Sequence, residues 1–177
     1  MGRYYAMDRG KEWRLTTTAY DAITKGDGKK IDNEDRLEDT IQEIYKTKTP
    51  NGKDMFDEYI PPLIIGGYEG VKDGDSVIHF NYRQDRAIQL TMAFVEDDYP
   101  GKRWKKFDIV YCGLTRYYDT FHYNILEPMD DSGGMDNLLS QILSQIGLKQ
   151  IRISETQKYS HVTSFIDGKR TEPYPGE

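Results

Sequence analysis

Apolar residues recur at helical spacing in several stretches of the chain. Within residues 12–25, Trp13, Tyr20 and Ile23 fall on one face, and Gly26 follows where a helix C-terminal cap belongs. This pattern predicts a helix that ends next to Gly26. The same spacing predicts three further helices, over residues 34–46, 84–96 and 138–146.

Short apolar runs, bounded by turn-forming residues, alternate with these helical stretches. They predict strands over residues 63–65, 76–82, 107–114 and 149–153. Residues 161–166, followed by Asp167 and Gly168, suggest a hairpin. The alternation of strands with amphipathic helices predicts an α/β fold with a mainly parallel sheet flanked by helices.

The composition changes near Asn124. Residues 127–134 (EPMDDSGG) show no apolar period and are typical of a linker. We therefore expect a domain over residues 1–125, a hinge or linker over 126–134 and a partial domain over 135–177. The last segment is marginal as an independent domain, so we expect that the chain is cut from a longer protein.

Composition narrows the classes of function. The chain has 177 residues and a formal net charge of −6, which disfavours a nucleic-acid binder. A single cysteine, Cys112, excludes an internal disulfide, and the apolar run around it favours a buried strand thiol. No apolar stretch reaches the length of a membrane span, and the N-terminus does not resemble a signal peptide, so we expect an intracellular location.

Two arginine pairs are the strongest chemical signal in the chain. Arg83 and Arg86 lie three residues apart, where a predicted strand gives way to a predicted helix. Ligands of α/β sheets bind beyond the carboxyl ends of strands, and a helix start adds free N–H groups. Two guanidiniums there suit a carboxylate or phosphate. Alternatively, both arginines pair with carboxylates such as Asp85 or Glu96, and spacing alone leaves both interpretations open.

Three other cations carry weaker signals. Arg3 and Arg9 flank an aromatic segment, and their six-residue separation fits a loop better than one helix face. Arginine beside tyrosine also occurs as stacking without a ligand. Lys158 follows a predicted strand and would place a positive charge near a phosphate, although a solvated loop lysine has the same pattern.

The sequence offers no matching set of groups that would transform a bound anion. Its histidines, at positions 79, 122 and 161, are isolated and belong to no metal-ligand pattern. Phosphate-loop and nucleophile-elbow motifs are absent as well. The residues therefore predict an anion-binding protein, with its chemistry left undefined.

Four sequence blocks, in one order along the chain, carry a family resemblance. They are residues 2–9 (GRYYAMDR, with Trp13 after them), 73–87 (beginning DGDSV and ending NYRQDRA), 134–137 and 155–163 (ETQKYSHVT). Together they resemble the cofactor-independent (2,3-bisphosphoglycerate-independent) phosphoglycerate mutases. The chain departs from the family's sequence pattern at two positions. Gly10 stands where the family usually has an acidic residue, and Gln84 replaces a proline that is common in the family.

The resemblance implies a place in a two-domain isomerase that interconverts 3-phosphoglycerate and 2-phosphoglycerate through a phosphoserine. An alkaline-phosphatase-like domain of that enzyme holds two Mn(II) ions and the serine, and a phosphotransferase domain is inserted within it. Residues up to about 125 would be the later part of the phosphotransferase domain. Those after 134 would be a partial segment of the phosphatase-like domain, joined by a hinge that opens and closes the enzyme.

The resemblance also assigns roles to residues. Arg3, Arg9, Arg83 and Arg86 match the arginines that bind substrate carboxylate and phosphate, and Lys158 matches a lysine at the phosphate site. The nucleophilic serine and the metal ligands lie outside this chain. We therefore expect neither a catalytic residue nor a metal ligand in this chain, and no Mn(II) bound by it alone.

Further expectations follow from the family. The partners would be the two phosphoglycerates and the missing remainder of the same enzyme, with no nucleic acid and no membrane. A cytoplasmic monomer acting in glycolysis and gluconeogenesis is expected. The alternative is a non-enzymatic module that uses the arginines to bind an anionic metabolite or a phosphorylated partner.

Overall fold

The computed structural model describes residues 1–118, 120–126, 135–168 and 170–177. The chain divides into two compact units, Met1–Met129 and Asp130–Glu177. Except for Leu126, the linker predicted over residues 126–134 lies outside the described residues. Its role as a hinge therefore stays a prediction.

The first unit opens with helices. Its elements in chain order are α1 (Arg3–Ala6), α2 (Trp13–Lys25), β1 (Lys29–Ile31), a 3-10 turn (Glu34–Arg36) and α3 (Leu37–Tyr45). Gly26 ends α2 in the left-handed conformation, with φ of 62°, as predicted from the sequence. The Asn33 side chain accepts a hydrogen bond from the Asp35 backbone N–H and so starts the 3-10 turn.

The rest of this unit consists of strands together with a 3-10 turn and a helix. It contains a second 3-10 turn (Asp57–Tyr59), β2 (Leu63–Ile65), β3 (Ser76–His79), α4 (Ile88–Val95), β4 (Val110–Gly113) and β5 (Asn124–Ile125). β1 and β2 form one parallel pair, and β3, β4 and β5 form a parallel sheet in that order. The predicted α/β class with parallel strands is confirmed.

The core of the first unit lies where α2 and α4 pack together and against β4. Ala19 and Tyr20 of α2 and Ala93 of α4 are completely buried. The small alanines let the two helices approach, and the Tyr20 ring fills the space beside Phe94, 4.9 Å between ring centroids. The Tyr20 hydroxyl donates to the Lys105 carbonyl oxygen at 2.6 Å, which satisfies the polar end of this buried ring.

A buried polar group connects β3 to this core. The Nδ1 atom of His79, the last residue of β3, lies 2.7 Å from the Tyr111 hydroxyl and 3.2 Å from the Thr91 hydroxyl. Burial lowers the pKa of His79, because the imidazolium form loses its hydration there. Burial also raises the pKa of Tyr111. Both rings are therefore neutral near pH 7, and the network holds β3, β4 and α4 together.

The second unit is smaller, and the regular elements among its described residues are helical. It contains α5 (Leu139–Gln145), a 3-10 turn (Thr156–Lys158) and α6 (Tyr159–Val162). Ser140 is fully buried, donates to the Asp167 carboxylate and accepts from the Arg152 guanidinium. Arg152 also reaches the Glu177 carboxylate at 3.1 Å, so these polar side chains connect the start of α5 to the end of the chain.

Two sequence predictions in this unit are wrong. The predicted strand over 149–153 has no partner strand among the described residues; Ile151 and Ile153 are 83% and 85% exposed. An alternating pattern needs a neighbouring strand to form a ladder. The predicted hairpin is instead α6 followed by turns, because the backbone N–H of Thr163 bonds to the Tyr159 carbonyl oxygen and that of Phe165 to Ser160.

The predicted elements of the first unit are present; β2 has its predicted bounds, and the others are shorter. β3 ends at His79 rather than residue 82, and α4 begins at Ile88 rather than residue 84. Consequently Arg86 precedes the helix instead of lying in its first turn. Among the described residues, none of the helices has the length and apolar character needed to cross a membrane.

We predict that the buried His79 makes stability fall in mild acid. In the unfolded chain its pKa is about 6.5, whereas in the folded chain it is lower, so the unfolded state binds more protons between the two values. Stability is then complete above about pH 6.5 and declines as the pH falls toward the folded pKa, by at most about 1.4 kcal/mol per pH unit.

Urea unfolding of the parent and of His79→Asn at pH 7, 6 and 5 measures this effect. Asparagine keeps a polar group near Tyr111 but does not titrate. The parent should lose more stability than the variant as the pH falls. Equal losses would show that His79 does not carry the effect.

Candidate functional site

The loop between α1 and α2 carries Arg9. The Asp8 carboxylate folds this loop, because its Oδ1 accepts from the Gly10 backbone N–H at 3.1 Å and its Oδ2 accepts from that of Glu12 at 2.9 Å. Lys11 adopts a φ of 61°, which is uncommon for a residue with a side chain. The loop therefore has one defined course, with Arg9 at its centre.

The connection between β3 and α4 carries the second arginine pair. The Asn81 side-chain amide donates to the Arg83 carbonyl oxygen at 3.0 Å, and the Ala87 backbone N–H donates to the Gln84 carbonyl oxygen at 3.0 Å. The Gln84 side chain also donates to the Arg116 carbonyl oxygen at 2.6 Å. These bonds form a turn beyond the carboxyl end of β3, and the turn delays the start of the helix.

The two segments meet at Asp85. Arg9 Nη1 donates to Asp85 Oδ2 at 3.2 Å, and Arg83 Nε lies 2.9 Å from Asp85 Oδ1. Arg86 Nη1 donates to the Met7 carbonyl oxygen at 3.0 Å, two residues before Arg9. We call Arg9, Arg83, Asp85 and Arg86 the arginine cluster. Three of the four predicted arginines thus come together, from segments more than 70 residues apart.

The cluster is open to solvent on one side. Arg83 is 66% exposed, whereas Arg9 and Asp85 are 26% and 18% exposed. Among these four side chains, three guanidiniums accompany one carboxylate, so an excess of positive charge remains. Exposed ion pairs contribute little to stability, which leaves Arg83 able to exchange Asp85 for another oxyanion at low cost.

Arg3 lies at the start of α1 and pairs with a different carboxylate. Its Nη2 donates to Glu58 Oε2 at 3.1 Å, and this bond raises the pKa of Arg3. The Gly2 backbone N–H bonds to the Ile60 carbonyl oxygen at 2.7 Å, so the start of the chain is held against the 3-10 turn (Asp57–Tyr59). Arg3 therefore presents a guanidinium next to a groove lined by Phe56 and Glu58.

Lys158 belongs to the second unit. It is exposed and ends the 3-10 turn (Thr156–Lys158), where its backbone N–H bonds to the Glu155 carbonyl oxygen at 2.9 Å. The structure thus gives the local setting of Lys158, and its predicted role at a phosphate site stays a prediction.

Sequence reasoning did not predict that Arg9 and Arg83 share Asp85 as their ion-pair partner. The sequence did indicate Asp85 as a candidate, because it lies between Arg83 and Arg86 and was one of the carboxylates considered for pairing with them. Its contact with Arg9, however, is a long-range contact that no local spacing reveals.

In the described part of the chain, His, Cys, Asp and Glu side chains form no group of three that would hold a metal ion.

Comparison with known proteins identifies the family to which the chain belongs. Residues 1–119 match the family model "BPG-independent PGAM N-terminus", which covers more than half of the chain. The chain therefore belongs to this family of 2,3-bisphosphoglycerate-independent phosphoglycerate mutase N-terminal regions.

Individual relatives agree with this family. The chain is 40% identical to "2,3-bisphosphoglycerate-independent phosphoglycerate mutase 1" of Methanosarcina acetivorans over 99% of its length and 33% of that protein. It is 39% identical to the mutase of Moorella thermoacetica over 100% of its length and 33% of that protein. The chain thus spans about a third of the length of the curated relatives that it matches.

A solved structure supports the fold. A Leishmania mexicana phosphoglycerate mutase, determined at low cobalt concentration, resembles the chain with a TM-score of 0.67 and 26% identity. The match covers 98% of this chain and 32% of that one. The likeness includes residues of both compact units.

We predict that Gly2→Ala disrupts the anchoring of Arg3. A Cβ atom at position 2 would lie 2.1 Å from the Glu58 carbonyl oxygen, a backbone atom that cannot move aside cheaply. We expect the free energy of unfolding to fall by about 1–3 kcal/mol, measured as a lower midpoint of thermal unfolding. Gly10→Ala is the matched control, since its Cβ would meet only the Asp8 carboxylate at 3.3 Å. Equal midpoints for both variants would contradict the prediction.

Proposed function

We propose that this chain supplies the substrate-binding arginines of a 2,3-bisphosphoglycerate-independent phosphoglycerate mutase. In this proposal Arg3, Arg9, Arg83 and Arg86 bind the carboxylate and phosphate of 3-phosphoglycerate and 2-phosphoglycerate. The observation that carries it is the meeting of Arg9 and Arg83 on one carboxylate, Asp85. Family membership supplies the class of reaction.

The position of the cluster supports this function. Arg83 and Arg86 follow β3 in a turn beyond the carboxyl end of that strand, and β3 is an edge strand of the parallel sheet. In open α/β sheets this is the usual position of a ligand. A ligand there would meet guanidiniums from two segments, held in place by the bonds of residues 8–12 and 81–87.

The charges of the cluster suit a substrate with two anionic groups. A guanidinium presents paired N–H donors that match a carboxylate or a phosphate, and such bonds are stronger than neutral ones. Asp85 is already hydrogen-bonded to Arg9 and ion-paired with Arg83, but its Oδ1 atom, which lies nearest Arg83, has no hydrogen-bond partner. A substrate oxyanion would therefore compete with Asp85 for Arg83, the more exposed of the two arginines. The arginines would then hold the glycerate by its carboxylate while phosphate leaves and returns.

The phosphoryl transfer itself we assign to the rest of the enzyme. The proposal places the phosphorylated serine and two Mn(II) ions in sequence outside this chain, and gives Lys158 contact with the phosphate. Residues 135–177 would then belong to an alkaline-phosphatase-like domain, joined at the 126–134 hinge. Cytoplasmic location, the monomeric state and the glycolytic context stay predictions.

A second function uses the same cluster without chemistry. As a non-enzymatic module, the chain would bind an anionic metabolite or a phosphorylated partner. The absence of a metal-binding group from the described residues is compatible with this candidate. Joining the chain to the segments that its longer relatives contain should produce mutase activity only if the first function is correct.

We predict that the chain alone binds 3-phosphoglycerate without turnover. Calorimetric titration at low salt, with and without manganese, should show saturable binding that is independent of the metal. Arg83→Ala should weaken it about tenfold or more, since a hydrogen bond to a charged group contributes about 1.5–3 kcal/mol. Glycerate and inorganic phosphate, each with one anionic group, should both bind more weakly than 3-phosphoglycerate.

Arg36→Ala is the control, because Arg36 is an exposed arginine of the 3-10 turn (Glu34–Arg36) outside the cluster. It should leave the affinity unchanged. Equal weakening by Arg36→Ala and Arg83→Ala would mean nonspecific attraction. Mutase turnover by the chain alone would mean that catalytic residues had been misplaced.

A further inference from the structure

Gln89 connects the two arginine-bearing segments from inside the protein. It is buried, with 6% of its surface exposed, in the first turn of α4. Its Nε2 donates to Asp8 Oδ2 at 2.8 Å and to Thr16 Oγ1 at 3.0 Å. Its Oε1 accepts from the Lys11 backbone N–H at 3.0 Å. One side chain therefore holds both ends of the loop that carries Arg9.

A carboxamide in this position needs an explanation. Burying an amide is unfavourable unless its donors and acceptor are bonded, and an apolar side chain would fill the contact between α4 and α2 without that requirement. The polar partners of Gln89 lie in the loop and at the start of α2. Its contacts with Asp8 and Lys11 are thus the specific gain that the amide provides.

The loop depends on this support. Asp8 bonds to the Gly10 and Glu12 backbone N–H groups, and Gln89 fixes the carboxylate that makes these bonds. Lys11 holds its φ of 61° while its N–H is bonded to Gln89. A residue with a side chain keeps such a conformation only where its surroundings impose it. Without Gln89 the Lys11 N–H would lose its partner, and the loop would gain other conformations.

Gln89 also sits on the element that follows the second arginine pair. It lies three residues after Arg86, so the same short stretch of chain bears Arg83, Arg86 and the amide that holds the Arg9 loop. The bond from Arg86 Nη1 to the Met7 carbonyl oxygen, at 3.0 Å, connects the two segments a second time. The positions of the three arginines are thus coupled through α4.

We propose that Gln89 is a positioning residue of the arginine cluster. It holds residues 8–11 against α4, and so keeps Arg9 beside Arg83 in the geometry that binds an anionic ligand. This inference rests on the proposed function for the identity of the ligand. The positioning itself is a property of this chain and is measurable without any ligand.

Amide hydrogen exchange, followed by NMR, tests the positioning directly. In Gln89→Leu, the Gly10, Lys11 and Glu12 amides should exchange at least about tenfold faster than in the parent, relative to the amides of α2. Thr91→Val is the matched control. Thr91 is also buried in α4, but its hydroxyl bonds to Tyr111 and His79, on the side of β3 and β4.

The expected result for Thr91→Val is lower overall stability with unchanged relative exchange in the loop. Parent-like exchange of the Lys11 amide in Gln89→Leu would overturn the proposal. Equal loosening of the loop by both variants would also overturn it, since Gln89 would then act only through general stability.

A double-mutant cycle tests whether Gln89 acts through Arg9. Titration with 3-phosphoglycerate should show about tenfold weaker binding for Gln89→Leu in the parent background, but less than about twofold further weakening in the Arg9→Ala background. If Gln89→Leu weakened binding by the same factor in both backgrounds, the two residues would act independently, and the assignment to Arg9 would be overturned. If the parent itself does not bind 3-phosphoglycerate, the proposed function fails, and the hydrogen-exchange result still decides whether Gln89 positions the loop.

Discussion

The shared contact of Arg9 and Arg83 with Asp85 is the interaction on which the candidate site depends. It joins a loop near the start of the chain to the connection between β3 and α4, across more than 70 residues of sequence. Like charges repel, so an anion between two guanidiniums stabilises their proximity. Asp85 provides that anion in the chain itself, and a substrate with a stronger or better placed charge would provide it in a complex.

The rest of the first unit supplies rigidity behind this contact. Tyr20 and Ala93 pack α2 against α4, and these helices begin next to the two arginine-bearing segments. His79 fixes the end of β3 through Tyr111. The arginines therefore lie at the ends of elements with a well-packed core, and the Arg83 side chain in particular remains exposed. This is the usual division between a rigid scaffold and functional loops.

Local pattern predicted much of the fold. The helical spacing around Tyr20 and the glycine at position 26 gave α2 its bounds within one residue, and the alternation of elements indicated the parallel α/β class. The strand predicted over residues 149–153 is wrong, because a strand exists only with a neighbour, and the alternation of Ile151 and Ile153 does not show whether one is present. The hairpin was wrong for a similar reason, since backbone bonds within residues 159–167 formed a helix and turns instead.

The candidate site was predictable only in part. Arginine type and spacing indicated an anion site, and the family resemblance indicated which residues to consider. Asp85 as a common partner, and Gln89 as the support of the Arg9 loop, follow from contacts between distant segments. No periodicity within either segment encodes such contacts. Predicting these contacts requires knowledge of how α2 packs against α4.

The central claim is that Arg9 and Arg83 bind an anionic substrate at one place. NMR spectra of the Nε–Hε groups in a chain with labelled arginine, recorded during titration with 3-phosphoglycerate, test it most directly. The account predicts saturable shifts of the Arg9 and Arg83 signals with a common dissociation constant, while the Arg36 signal stays unchanged. Unchanged Arg9 and Arg83 signals at a concentration that saturates binding would contradict it.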